Sequence, residues 1–424
     1  MTSTELPQTF TPGFHEESVI RQMPYNKFGR SQRLISKLSL GSSSFGNSYG
    51  TMSNEADCIS VTVNAVKQGI NLIDTAPWYG HGLSETILGK ALKNIPRSAY
   101  YLTTKVCRYH PGALEMFDFT YERTIQSVNE SLERLQLEYI DVIQIHDPEF
   151  APSLDLVISE VLPALQKMKE EGKVKHIGIT GYPISTITYL AEHCPPGIEL
   201  ESCLSYCRYN LHDTSLIDTG CLKRLTELGL GVVNGSPYSM GLLVPRGPPV
   251  WHPSKKALKV RCAAAGKRAA EMGFNIAHLA FIFCLAEPSI ATTMTSTTSP
   301  VRLQGDIDMV IGKSHHAHGE GLTAALAACA EIRKEFFSGP EFDAEQLCHW
   351  EGEEVNKYWR KVGQALTSSW YAKRIESMGR KAVGLLADGE TLSTCTEGSP
   401  KPVILSITQA HAANAPSVYA NYKE

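Results

Sequence analysis

The sequence has no excess of either charge: 40 Lys and Arg stand against 44 Asp and Glu over 424 residues, a formal net charge of −4. Without a basic surplus there is no field to hold a nucleic-acid backbone or an anionic lipid surface, and neither partner is expected. No run of 18 apolar residues occurs, and the start, MTSTELPQTFTPGFHEESV, carries no apolar core behind a charged end. Neither a membrane span nor a secretory leader is therefore read. The 11 cysteines, scattered from Cys58 to Cys395, include no C-x-x-C pair and no Cys/His spacing of a zinc module. They read as buried thiols of a reducing compartment, which points to a cytoplasmic protein and to no metal. Apolar residues at 42% and charged residues at 20% exclude collagen, coiled coil and wholesale disorder.

What is present is a beat of short apolar runs, each followed by an amphipathic stretch. LSLG from Leu38, NLID from Asn71, YYLTTK from Tyr100, YIDVIQIH from Tyr139, HIGIT from His176, ESCLS from Glu201, GVVNGS from Gly231 and SIATT from Ser289 read as strands. Between them apolar residues recur at helical spacing: Ile59, Val63 and Val66; Ile125, Val128, Leu132 and Leu135; Val157, Val161, Leu165 and Met168; Leu222, Leu225 and Leu228. Gly69, Gly172 and Gly229 follow three of these helices, where a left-handed residue is wanted. Strands alternating with helices argue for parallel pairing through crossovers. Eight units predict a closed (β/α)8 TIM barrel over residues 34–312, with an open doubly wound sheet as the competitor. That sheet announces itself with G-x-G-x-x-G after its first strand, and here Gly41 runs into SSSFG instead. Residues 1–33 read as a polar lead-in and a hairpin closing the barrel bottom. Residues 313–383 read as a helical extension, with helices over 322–337 and 345–365, and 384–424, rich in Ser, Thr, Ala and Pro, as a flexible tail.

In such a barrel the reacting groups stand at the carboxyl ends of strands. Asp74, Lys105 and His146 end three consecutive strands, and Tyr79 follows Asp74 on a loop turned by Pro77 and Gly80. Each alone has an ordinary reading as a cap, a solvated strand end, a core histidine or a loop aromatic. Together their chemistry is complementary. A phenol of pKa ~10 gains acid/base use beside an ammonium, which favours the phenolate; a shift of two units is worth about 2.7 kcal/mol. Asp74 would hold Lys105, and His146 would orient a substrate oxygen. The set suits proton transfer at an oxygen while another agent moves a hydride.

The run NLIDTAPWYGHGLSETILGKAL, the lysine in YLTTKV and the histidine in YIDVIQIHDPEF resemble the signature segments of the aldo-keto reductases. FDFTYERTIQSVNESLERLQLEYIDVIQIHD, GKVKHIGITGYP, LSYCRYNLHDTSL and SPYSMGLLVPRGPPVWHP look like the L-galactose dehydrogenase branch of that family. The resemblance runs over about residues 25–310. It implies NAD(P) held across the barrel mouth, with Asp74, Tyr79, Lys105 and His146 at the family's four catalytic positions. It places Thr180, Gly181 and Tyr206 at the nicotinamide, and Ser236, Gly241 and Leu242 in the pyrophosphate loop. Ser296, Arg302 and Asp306 fall near the adenosine. At the position where many members stack an aromatic on the nicotinamide stands Gly235, which leaves that contact to Tyr238 or another ring. A lone Arg302 makes a poor clamp for a 2′-phosphate, which favours NAD over NADP.

The implied activity is oxidation of an aldose such as L-galactose at C1 to the lactone, or reduction of a small aldehyde, by a monomer or homodimer. Asp147 and Glu149, next to His146, are candidates to bind sugar hydroxyls. The alternative is a cofactor-binding regulatory subunit with little turnover, using the long C-terminal part as its partner surface. His315, His316 and His318 read as a connector rather than a metal site, since no Cys or acid completes a ligand set.

Overall fold

All eight apolar runs form strands, because a strand covered on both faces tolerates a near-continuous apolar sequence. In the computed structural model, which describes residues 5–47, 54–367, 380–383, 392–396 and 403–405, a short helix, Glu17–Ile20, precedes an antiparallel hairpin of Tyr25–Phe28 (β1) and Arg33–Ser36 (β2). The barrel strands are Leu38–Gly41 (β3), Leu72–Asp74 (β4), Tyr101–Val106 (β5), Ile140–His146 (β6), Val174–Gly181 (β7), Leu200–Tyr206 (β8), Gly231–Gly235 (β9) and Thr292–Ser296 (β10). They close in sequence order, β10 pairing parallel with both β9 and β3. The closed parallel barrel with helices between strands settles the choice against the open sheet.

Side chains anchor several helix starts: Asn54, Thr120, Asn275 and Ser299 each accept a backbone N–H of the first turn. Gly69, Gly172 and Gly229 take the left-handed conformation expected of them. The helix Glu55–Lys67 turns slightly from the expected stripe, burying Cys58, Val61, Ala65 and Val66, while Ile59 and Val63 stay half-buried.

The hairpin closes the amino-terminal end. Phe28 lies against Gly231 at the start of β9, and Asn26 donates to Ala291 O just ahead of β10 (2.7 Å). Phe28 and Ile35 join Leu72, Leu204, Val233 and Met294 in an apolar cluster. The hairpin runs on to Ser36, past the expected boundary at 33, because β2 needs all four residues to pair with β1.

Beyond the barrel lie helices Gly319–Phe336, Pro340–Ala344 and Glu353–Thr367. Residues 345–352, expected as the start of a helix, are turn and coil; Gly352 has φ 82°, and the helix begins only after it. Strands Arg380–Val383, Leu392–Thr396 and Val403–Leu405 form a small antiparallel sheet across the expected border of extension and tail; the rest of the tail lies outside the described residues. Among the described residues no helix is long and apolar enough to cross a membrane, and no three His, Cys, Asp or Glu gather to hold a metal. Ten cysteines are described, all free and eight of them buried.

Candidate active site

The carboxyl ends of β4, β5 and β6 bring Asp74, Lys105 and His146 to one rim. Lys105 Nζ donates to Asp74 Oδ1 (2.5 Å), to Thr75 O (2.7 Å) and to Tyr79 Oη (3.3 Å). The second carboxylate oxygen of Asp74 accepts from Thr103 Oγ1 (2.6 Å) and Gln144 Nε2 (3.0 Å), so the acid is held from the two strands that follow its own, β5 and β6. Lys105 and Asp74 are about 1% exposed. Two charges so far from water persist only because each is the other's partner and its remaining hydrogen bonds are filled. Gln144 and Thr103 were not singled out from sequence; a polar residue two before His146 in an apolar strand, facing the same side, is the signal that marks Gln144.

Tyr79 reaches this pair because its loop packs tightly on the loop after β3. A Cβ at Gly46 would lie 2.4 Å from the backbone of Tyr79 and Gly80, so only glycine admits the approach. The Tyr79 ring meets the His146 ring edge-on, centroids 6.1 Å apart. Burial, with Asp74 and Asp147 adding to it, pushes the phenol well above its ordinary pKa, and Arg108 opposes them. This reverses the direction expected from the ammonium alone, whose charge is already taken up by Asp74. Burial also holds His146 well below the ordinary imidazole value, with Lys105 and Arg108 acting the same way. Its Nδ1 is buried without a hydrogen-bond partner. The site therefore presents a neutral imidazole and a protonated phenol.

Beside them, Arg108 pairs with Asp147 Oδ2 (2.5 Å) and lies over the Trp78 ring at 4.2 Å. Asp147 Oδ1 and Glu149 Oε2 are buried without hydrogen-bond partners, and burial raises both acids, Glu149 the more strongly.

Of the residues implied for a dinucleotide, Thr180 and Gly181 end β7 and Tyr206 ends β8. Tyr206 pairs with Gly235, where a Cβ would stand 2.9 Å from Leu204 Cδ2 and 3.2 Å from Tyr206 Cβ. No aromatic fits at Gly235. Tyr238 does not replace it: its hydroxyl donates to Asp306 Oδ1 (3.1 Å) and its ring faces Phe281, so it is turned between helices. The ring next to Gly235 across the sheet is that of Tyr206. Ser236, Ser239, Met240 and Gly241 all take positive φ; the N–H groups of Ser239, Gly241 and Leu242 donate to Ser236 O, Tyr238 O and Ser239 O within the loop, and the Leu242 side chain is in the core. Ser296 Oγ accepts the Ser44 N–H (3.0 Å), Asp306 is buried and occupied by Tyr238, and Arg302 is exposed at the start of helix Pro300–Val310. Tyr206, the loop 236–242 and the N-terminus of helix Pro300–Val310 thus follow the carboxyl ends of β8, β9 and β10 in turn, an order that a dinucleotide laid across the rim would fit.

A closed (β/α)8 barrel with a Tyr, Lys, Asp and His cluster at its carboxyl rim defines an oxidoreductase-type site with no Rossmann unit. The profile of the aldo/keto reductase family matches residues 37–313, and the chain belongs to that family, whose members use NAD(P)H. It is 42% identical over 278 residues to L-galactose dehydrogenase of Arabidopsis thaliana, covering 65% of this chain and 84% of that one. It is 35% identical to D-arabinose 1-dehydrogenase of Saccharomyces cerevisiae over 60% of this chain and 76% of that one. A holo-form aldo-keto reductase of Bacillus halodurans superposes with a TM-score of 0.57 at 25% identity, over 72% of this chain and 96% of that one.

Proposed function

We propose that the protein is an NAD(P)-dependent aldose 1-dehydrogenase, with NAD the preferred cofactor and a free aldose such as L-galactose the substrate. The observation that carries this is Tyr79 Oη 3.3 Å from Lys105 Nζ, beside His146, in a chain whose relatives include aldose dehydrogenases.

Tyr206 and the backbone of 236–242 would hold the dinucleotide, which supplies the acceptor for the hydride leaving C1. The chain's own residues handle the proton. His146 donates a hydrogen bond to O1 and fixes the sugar. Tyr79, as phenolate, takes the proton from O1 as the C1–H bond breaks, leaving a C1 carbonyl and hence a lactone from a ring-closed aldose. Lys105 steadies the phenolate, and Asp74 keeps Lys105 aimed at it. In reduction the same phenol donates.

Separate titrations with NAD and NADP by tryptophan fluorescence, followed by a screen of aldoses and small aldehydes with the binder, test the reading. Turnover of an aldose with NAD is the expected result. Cofactor binding without turnover of any aldose or aldehyde would refute it in favour of the regulatory role.

A further inference from the structure

The C-terminal extension returns to the rim. Trp350, 2% exposed, stacks on Tyr182, which directly follows β7 (centroids 4.9 Å, 14° between planes), and meets His252 edge-on at 4.9 Å. The Trp350 backbone N–H donates to Tyr182 Oη (3.0 Å), and His212 Nδ1 donates to Cys348 O (2.9 Å). Across the mouth, Tyr358 packs edge-on against Phe117 and Phe150, at 5.1 and 5.5 Å. The segment is thereby pinned on both sides of the site, with two acids between the pins.

Each acid stands toward one of two arginines of the mouth, Arg208, which is buried, and Arg108, which is partly buried. Glu351 lies 3.9 Å from Arg208, whose other carboxylate partner is Asp213 at 3.4 Å. Glu354 lies in the first turn of helix Glu353–Thr367, which packs on residues 148–150 directly after Asp147, and so brings a second acid toward the Arg108–Asp147 pair. A guanidinium at an active-site mouth is otherwise a ready docking point for a phosphate or carboxylate. Arg208 thus meets one acid from the barrel and one from the extension, and the extension carries a second acid to the loop beside Arg108.

We infer that the extension sets the charge selectivity of the site: Glu351 and Glu354 screen Arg208 and Arg108, so the enzyme takes neutral, unphosphorylated aldoses and rejects sugar acids and sugar phosphates. This rests on the dehydrogenase reading and narrows its substrate class. Like-charge contact is an efficient way to exclude a competitor that fits sterically.

Glu351→Gln, Glu354→Gln and the double variant, compared with wild type, test the inference in the full-length chain. Circular dichroism selects the folded variants, and the single variants stand in if the double does not fold. The kcat/KM ratio of a neutral aldose to its uronic acid is expected to fall at least tenfold in the double variant. Inorganic phosphate, titrated against tryptophan fluorescence, is expected to bind at least tenfold more tightly than to wild type. An unchanged ratio, or unchanged phosphate binding, overturns the inference. Absence of aldose turnover in the wild type would instead remove the dehydrogenase reading, and the phosphate titration would still decide whether the acids screen the arginines.

Discussion

Replacing Tyr79 by Phe removes a single oxygen whose direct protein partner is Lys105 Nζ at 3.3 Å, a long hydrogen bond. Its loss should cost no more than about 1 kcal/mol of stability, since a net intramolecular hydrogen bond contributes roughly 0.5–1.5 kcal/mol. At the size of this barrel that is about 2–4 °C in melting temperature. The ring stays, so its contact with His146 and its place over Lys105 are kept. The chemical consequence is far larger: losing the group that exchanges the proton should lower kcat by ~10²–10⁴, or about 2.7–5.5 kcal/mol of barrier. The assay is reduction of NAD with a saturating aldose, alongside a fluorescence titration of the cofactor and a melting curve. A folded Tyr79→Phe protein that binds NAD normally and turns over at the wild-type rate would refute Tyr79 as the acid/base.

Asp74→Asn leaves Lys105 buried opposite an amide, which should cost about 3–5 kcal/mol in denaturant unfolding at neutral pH; a loss below about 1 kcal/mol would mean the pair is not holding the rim together. The raised pKa of Tyr79 keeps the phenol protonated at neutral pH, so the rate of oxidation should climb as pH rises into the alkaline range. Because His146 is already neutral, no acidic limb from an imidazole should appear between pH 6 and 8 (the range ordinary for histidine), and a bell centred there would contradict both assignments. Burial raises Asp306 from 3.8 to about 6, so the folded state holds its proton longer than the unfolded chain. Stability should therefore fall as pH rises from about 4 to 6 and stay lowered above, by at most about 3 kcal/mol. Asp306→Asn should raise the melting temperature at pH ~7.5 and make little difference near pH ~4; equal effects at both would rule out the carboxylate's charge as the cause.

The barrel was legible because its code is local. Each strand is a short run buried on both faces, and each crossover helix carries its own period and stop, so Leu38 begins its strand where the pattern places it and Tyr101 and Ile140 begin theirs one residue past the expected starts at Tyr100 and Tyr139. Asp74, Lys105 and His146 were legible for the same reason, being ionisable residues at the ends of such runs. The direction of the Tyr79 shift was not, since it depends on burial and on Asp147, which sequence spacing does not weigh. Nor was Trp350: its partners Tyr182, His212 and His252 come from loops after three different strands, and only the closed barrel gathers them. Tyr238 shows the same limit, an aromatic within the proposed cofactor loop 236–242 whose hydroxyl is taken up by Asp306.

The seating of Trp350 has a consequence for biosynthesis. The indole is made 168 residues after Tyr182, the residue it covers. At translation speeds of ~5–20 residues per second, roughly 8–34 s pass before that aromatic face can be shielded. Nascent chains halted before this point would display an uncovered ring at the catalytic end of an otherwise folded cylinder, and chaperones that survey emerging polypeptides would find their handle there.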